Sequence, residues 1–354
     1  MQPQGTMSML DSAIGTGVAV SSRIGIAVAA AMLLALTSGR CQDTERGSAQ
    51  PEPDAVTPKP AAEAAGGGSR AAAEAESARP APGTDRPLFE KLGKPEPGDW
   101  LDVYQEKLQT FDAYKRSNPV RPTRKRRTIL FQPLGEIGEA EAELTRKLAE
   151  WTGIFFDLPV RELEPRKLEH VPQRINGHTQ RRQYHSPSIL DRLLKPRVPD
   201  DALCVVGVTF EDLYPDPTWN FVFGQASLRD RVGVYSLIRY FPGFYNEQAT
   251  ADTDRRVLHR GIKVVTHETG HIFGITHCVE YNCLMNGSNS LDESDRRPLF
   301  VCPSCLRKLR WNIGFNPAAR YRRMLAFLER EGLKQDAAWL RRRLAQWTEA
   351  RQAD

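Results

Sequence analysis

The chain has 354 residues, enough for one or two domains with a substantial core. Its 49 Lys plus Arg against 44 Asp plus Glu leave a net charge of only +5, so charge gives no ground to expect nucleic acid as a partner. Six cysteines are too few for a disulfide scaffold at this length, yet four of them fall within 28 positions, dense enough for a metal site.

Residues 1–40 read as a signal peptide or hydrophobic leader. The apolar run 24–36 follows Arg23 and is shorter than the roughly 20 residues of a spanning helix; small residues follow it, as a cleavage site requires. Export or membrane association through this leader is favoured over a cytoplasmic location. Residues 41–86 are rich in Ala, Pro, Glu and Gly with almost nothing large to bury, the composition of a disordered linker.

A folded domain is expected over 87–315. A helix should start at Asp99, with Trp100, Leu101, Tyr104, Leu108 and Phe111 at three- and four-residue intervals. A strand follows at 128–134, an amphipathic helix at 136–153 closed by Gly153, and a second strand at 154–160. The polar segment 169–185, with His170, His178 and His185, reads as a surface loop, and 188–195 as a short helix. The nearly continuous apolar run 202–210 suits a strand covered on both faces, with Cys204 as core. Strands at 220–227 and 232–240 and one long helix at about 252–274 complete the order. Residues 316–354 form a helical hairpin broken at Gly332, its apolar stripe running through Met324, Phe327, Trp339 and Leu340. This succession implies an α+β fold: a twisted mixed sheet with helices packed on it and a long helix carrying the site.

That helix ends in THETGHIFGITHCVEYNCLMNG, residues 266–287. At about 100° per residue, His267 and His271 differ by about 40° and share one face. His277 would point away if the helix continued, but Gly274 can take the left-handed conformation that ends a helix and lets the chain turn back. Three histidines on zinc leave the fourth position to water. Glu268 can then take that water's proton and pass it to a leaving amine. Cys278 and Cys283, with Cys302 and Cys305, have the spacing of a closed four-cysteine zinc site, with two disulfides or plain buried thiols as alternatives. The cofactors implied are two Zn²⁺ per chain, one catalytic and one structural. His259 on the same helix reads as core or surface, and Tyr235 and Tyr281 as structural rather than oxyanion-binding.

The pattern H-E-x-x-H-x-x-G-x-x-H resembles the signature of the metzincin peptidases. Joined to the cysteine quartet, to FGQA and YSLIRY before the long helix, and to KPEPGDWLDVYQEKLQTFDAY upstream, it is similar to the archaemetzincins over about 86–315. The resemblance implies the α/β-type metzincin fold with a C-terminal subdomain stabilised by a four-cysteine zinc. It also implies catalytic zinc on His267, His271 and His277, Glu268 as general base, and Met285 beneath the metal. Cys278, Cys283, Cys302 and Cys305 would hold the structural zinc. The expected function is a zinc metallopeptidase acting on peptides or proteins, as a monomer and without nucleic acid. The alternatives are a non-catalytic zinc-binding interaction module and a zinc hydrolase of non-peptide amides.

Overall fold

In the computed structural model, which describes residues 88–227 and 229–352, the chain enters through two short helices, α1 (Trp100–Val103) and α2 (Phe111–Arg116). The single helix expected from Asp99 is thus interrupted, because residues 104–110 are drawn out to reach the site described below. The leader and linker expected at 1–86 lie outside the described residues. Among the described residues, no helix is long and apolar enough to cross a membrane.

Strand β1 (Thr128–Leu134) leads into α3 (Glu139–Phe156) and β2 (Val160–Glu162). Helix α3 passes Gly153 and takes the first three residues of the strand expected at 154–160, of which only Val160 enters β2. The apolar periodicity explains the difference: Leu148, Trp151, Phe155 and Phe156 all bury on one side, and Phe156 stacks on Phe273 with ring centroids 5.0 Å apart. The helix stops instead at Asp157, whose φ of 55° is left-handed.

The segment expected to be a loop forms β3 (Gln173–Ile175) and β4 (Arg182–His185), followed by an irregular helical stretch over 186–197. Next come β5 (Ala202–Thr209), β6 (Asp212–Tyr214), β7 (Gly224–Ala226) and β8 (Val232–Ser236). Strands β3, β4 and β6 make a small sheet whose polar residues satisfy one another. Asp212, 2% exposed, accepts 2.7 Å bonds from Arg239 Nε and Nη2 and a 2.8 Å bond from Gln183 Nε2. The segment 169–185 does lie largely at the surface, with Val171, Asn176 and Gln183 its buried residues. It differs from the expected loop in forming two short strands, which Gln183 ties to a buried polar network.

The main sheet has the order β2-β1-β5-β8-β7, parallel except for β7, which pairs antiparallel to β8 and forms an edge. Helix α4 (Thr253–Ile272) packs on this sheet through Val257, Ile262, Val265 and Ile272. It is followed by α5 (Leu291–Arg296), α6 (Pro303–Ile313), α7 (Pro317–Arg330) and α8 (Lys334–Gln352). The last two form the expected hairpin around Gly332. Phe327 meets Trp151 of α3 at 5.2 Å, and Trp339 stacks on Phe300 at 4.1 Å. The architecture is a mixed α/β one, as the element order implied.

Candidate metal centre

Helix α4 ends as a Schellman motif. Gly274 N–H donates to His271 O at 2.7 Å and Ile275 N–H to Gly270 O at 3.2 Å, while Gly274 takes φ 79°. A Cβ at residue 274 would also lie 2.7 Å from Pro119 Cβ, so a side chain is excluded twice over. The chain turns back there and brings His277 to His267 and His271. One ring nitrogen from each lies within 4.8 Å of the others.

The ring nitrogens facing outward fix what the inner ones can do. His267 Nδ1 is 3.0 Å from Leu284 O, His271 Nδ1 2.7 Å from Ile275 O, and His277 Nδ1 2.8 Å from Glu106 Oε1. Carbonyl and carboxylate oxygens only accept, so each Nδ1 carries a proton, and wherever the ring is neutral its Nε2 presents a lone pair. Burial, then the charge of His277, holds His267 down to about 3, and burial holds His271 well below its usual value. At neutral pH the Nε2 atoms of His267 and His271 therefore face each other as bare acceptors 2.9 Å apart. That contact is repulsive unless a cation sits among them. Zinc–nitrogen bonds of about 2.0–2.1 Å in a tetrahedron place nitrogens about 3.3 Å apart, so the donor set fits zinc after a slight opening.

Around this trio the packing is close. A Cβ on Gly270 would come within 2.7 Å of Met285 Sδ, so the missing side chain is what lets Met285, 1% exposed, pack closely on α4 at Gly270. Glu268 lies against β7: a Cβ on Gly224 would meet its Cγ at 2.9 Å and Oε1 at 3.1 Å. Burial alone pushes the Glu268 carboxyl up to about 8. A dication alongside would counter that shift.

The four cysteines form a second cluster, with all Sγ atoms within 4.8 Å of one another and every thiol free. Cys278 Sγ and Cys302 Sγ are 3.7 Å apart; four zinc–sulfur bonds of about 2.3 Å require about 3.8 Å. Main-chain N–H groups point at the sulfurs, from Cys302 to Cys283 at 3.2 Å and from Cys305 to Cys302 at 3.5 Å. Asn286 ties the loop by accepting from Cys283 N–H at 2.7 Å and donating to Tyr281 O at 2.9 Å. Hydrogen bonds from the other three thiols hold Cys278 far below its ordinary value, while Cys283 and Cys305 are pushed up.

The remaining candidates lie apart. His259 Nε2 pairs with Asp336 of α8 at 3.2 Å, and His185 Nδ1 with Ser188 Oγ at 2.9 Å. Tyr281 lies under Lys91 Nζ, 4.0 Å from its ring centre, and Tyr235 is fully buried in the core. Sequence reasoning missed Glu106, whose carboxylate meets His277 from 171 positions away, and Trp100, whose ring contacts His277 edge-on at 5.0 Å. No local spacing could have pointed to either. Burial pushes the Glu106 carboxyl up, but the hydrogen bond and charge of His277, with Trp100 assisting, bring it below the ordinary value.

Comparison with known proteins adds three findings. The family model described as Peptidase family M54 matches residues 166–311. Archaemetzincin-2 of Mus musculus is 38% identical over 285 residues, covering 71% of this chain and 78% of that protein, and Archaemetzincin-2 of Homo sapiens is 38% identical over 275 residues, covering 69% and 76%. The crystal structure of archaemetzincin from Methanopyrus kandleri is 29% identical with a TM-score of 0.43, covering 54% of this chain and 97% of that one.

Proposed function

The chain belongs to the archaemetzincin family of zinc metallopeptidases, and on that premise we propose that it hydrolyses peptide bonds at the three-histidine centre with Glu268 as general base. The observation that carries this reading is the inward convergence of three imidazoles, each with its Nδ1 engaged on the far side, beside a buried carboxylate. Zinc held there supplies Lewis acidity, acidifying water and polarising a carbonyl.

The chain's own residues do the rest. His267, His271 and His277 hold the ion through Nε2, each kept in the right tautomer by its Nδ1 partner. Glu268, fixed over Gly224, takes a proton from the attacking water and delivers it to the departing amine. Met285 supports the histidines from beneath, in the manner of metzincins. The substrate is an extended peptide laid along β7. Ser227 N–H bonds Val232 O at 2.8 Å and Ser236 N–H bonds Phe223 O at 2.7 Å, so by alternation the main-chain groups of Gly224 and Ala226 face away from β8 and can accept a further strand. The four cysteines hold a second, structural zinc that closes a C-terminal subdomain around α5 and α6.

Hydrolysis of a mixed peptide library by the wild type and by Glu268→Ala tests the mechanism. The variant should keep its zinc and lose about 10²–10⁴-fold in rate. Equal inertness of both proteins at every pH would favour the non-catalytic binding module, and full activity in Glu268→Ala would remove Glu268 from the chemistry.

A further inference from the structure

Residues 88–116 lie outside the segment matched by the family model and run along the outer side of the turn that presents His277. Their grip on that turn is continuous. Tyr114 OH donates to Phe273 O at 2.9 Å, and Gln109 Nε2 to Gly274 O at 2.9 Å. Gln109 Oε1 accepts from Thr276 N–H at 3.3 Å, and Leu92 N–H donates to Glu280 O at 3.1 Å.

At the middle of this strap, Glu106 Oε1 accepts two bonds, from His277 Nδ1 at 2.8 Å and from Trp100 Nε1 at 3.0 Å. Trp100 is itself locked. Its main-chain N–H donates to the Glu293 carboxylate at 3.1 Å, and its indole fills the space over Gly287, where a Cβ would come within 2.5 Å. His267 and His271 stand on a regular helix and lean on neutral carbonyls. His277 alone of the three lies beyond the helix, without neighbouring turns to hold it, and it alone receives a carboxylate.

We infer that Glu106, oriented by Trp100, is the positioning residue for His277, so that the N-terminal strap completes the metal centre and sets how tightly it holds its ion. The inference rests on the reading of the three histidines as metal ligands. A carboxylate on Nδ1 fixes the ring's direction and raises the basicity of Nε2, and removing such partners weakens metal sites about 10–100-fold. The same pair is shielded, with side-chain exposures of 11% for His277 and 19% for Glu106, so bulk water is a poor substitute.

The test uses the full chain, with zinc affinity at the labile site measured by competition against a chromogenic chelator. The visible spectrum of cobalt introduced at that site is recorded in parallel. Glu106→Ala should bind zinc about 10–100-fold more weakly with an altered cobalt spectrum. Glu106→Gln, which keeps an acceptor and loses the charge, should fall between it and the wild type. Wild-type affinity and spectrum in both variants would overturn the inference, as would lowered thermal stability with unchanged metal affinity. If Glu106→Ala does not fold, the near-isosteric Glu106→Gln decides alone. A wild-type chain that takes up no metal at the histidines would overturn the reading of the centre itself.

Discussion

His267 and His277 keep part of their surface open, whereas all four cysteines are buried, the most exposed of them at 6%. The histidines are aimed by partners on their far nitrogens; the cysteines are wrapped by main-chain N–H groups. On the function proposed above, one arrangement would leave a coordination position for an exchangeable ligand, and the other would leave none. Yet a single loop serves both. Cys278 follows His277, Leu284 O holds His267, and Met285 lies under Gly270 while its carbonyl accepts from Cys278 N–H at 2.7 Å. Dependence should therefore run one way, from the cysteine cluster to the histidine cluster.

The largest effect tests that direction. Cys302→Ser should forfeit much of the binding energy of the closed site, about 10–16 kcal/mol in small zinc domains, and so lose both metals and the cooperative thermal transition. His271→Ala should lose only the labile ion, with its melting curve retained in the metal-free state. Metal content after gel filtration, read beside thermal denaturation, distinguishes the two. Equal collapse of both variants would contradict a one-way dependence.

A smaller effect probes the turn between the two clusters. Gly274→Ala must place a side chain at φ 79° and 2.7 Å from Pro119 Cβ, at a cost of about 2–5 kcal/mol. Denaturant midpoints should fall accordingly, and the labile metal should be released at lower chelator concentration. An unchanged midpoint would show that the turn tolerates an ordinary residue.

The smallest effect separates the metal's electrostatics from its chemistry. The folded-state pKa of Glu268, raised to about 8 in the absence of metal, lies above its ordinary value of 4.5. The group's contribution to stability is therefore present at low pH and is lost as pH rises from about 4.5 to about 8. Glu268→Gln should consequently stabilise the metal-free protein by about 1–3 kcal/mol at pH 8, with little gain at pH 5. In the zinc-loaded protein this difference should shrink, because a dication favours the ionised carboxylate. A pH-independent difference in the metal-free melting temperatures would remove burial as the cause.

Much of the site was legible along the chain because its geometry is local. His267, Glu268, His271, Gly274 and His277 occupy one helix end and one turn, where 3.6 residues per turn and a left-handed glycine dictate direction without help from the rest of the fold. The main strands were legible for a similar reason: the expected runs 128–134, 202–210 and 232–240 are mostly apolar, and β1, β5 and β8 fall within them, the last ending at Ser236 where 238–240 turns helical. The small sheet β3-β4-β6 was not, since Asp212, Gln183 and Arg239 look solvated until each has found the others. The end of α3 was misjudged because Gly153 looked like a stop, while the aromatic face beyond it had more surface to bury.

Read alone, the amino-acid sequence determined which atoms could face a metal and in what number, because ligand spacing follows from the geometry of a single helix and its terminal turn. The tertiary structure alone decided what steadies them. Glu106, Trp100, Gln109 and Gly224 reach the site from distant strap and strand, and only the folded packing of those segments against α4 and its terminal turn brings a carboxylate to His277 and a bare backbone to Glu268.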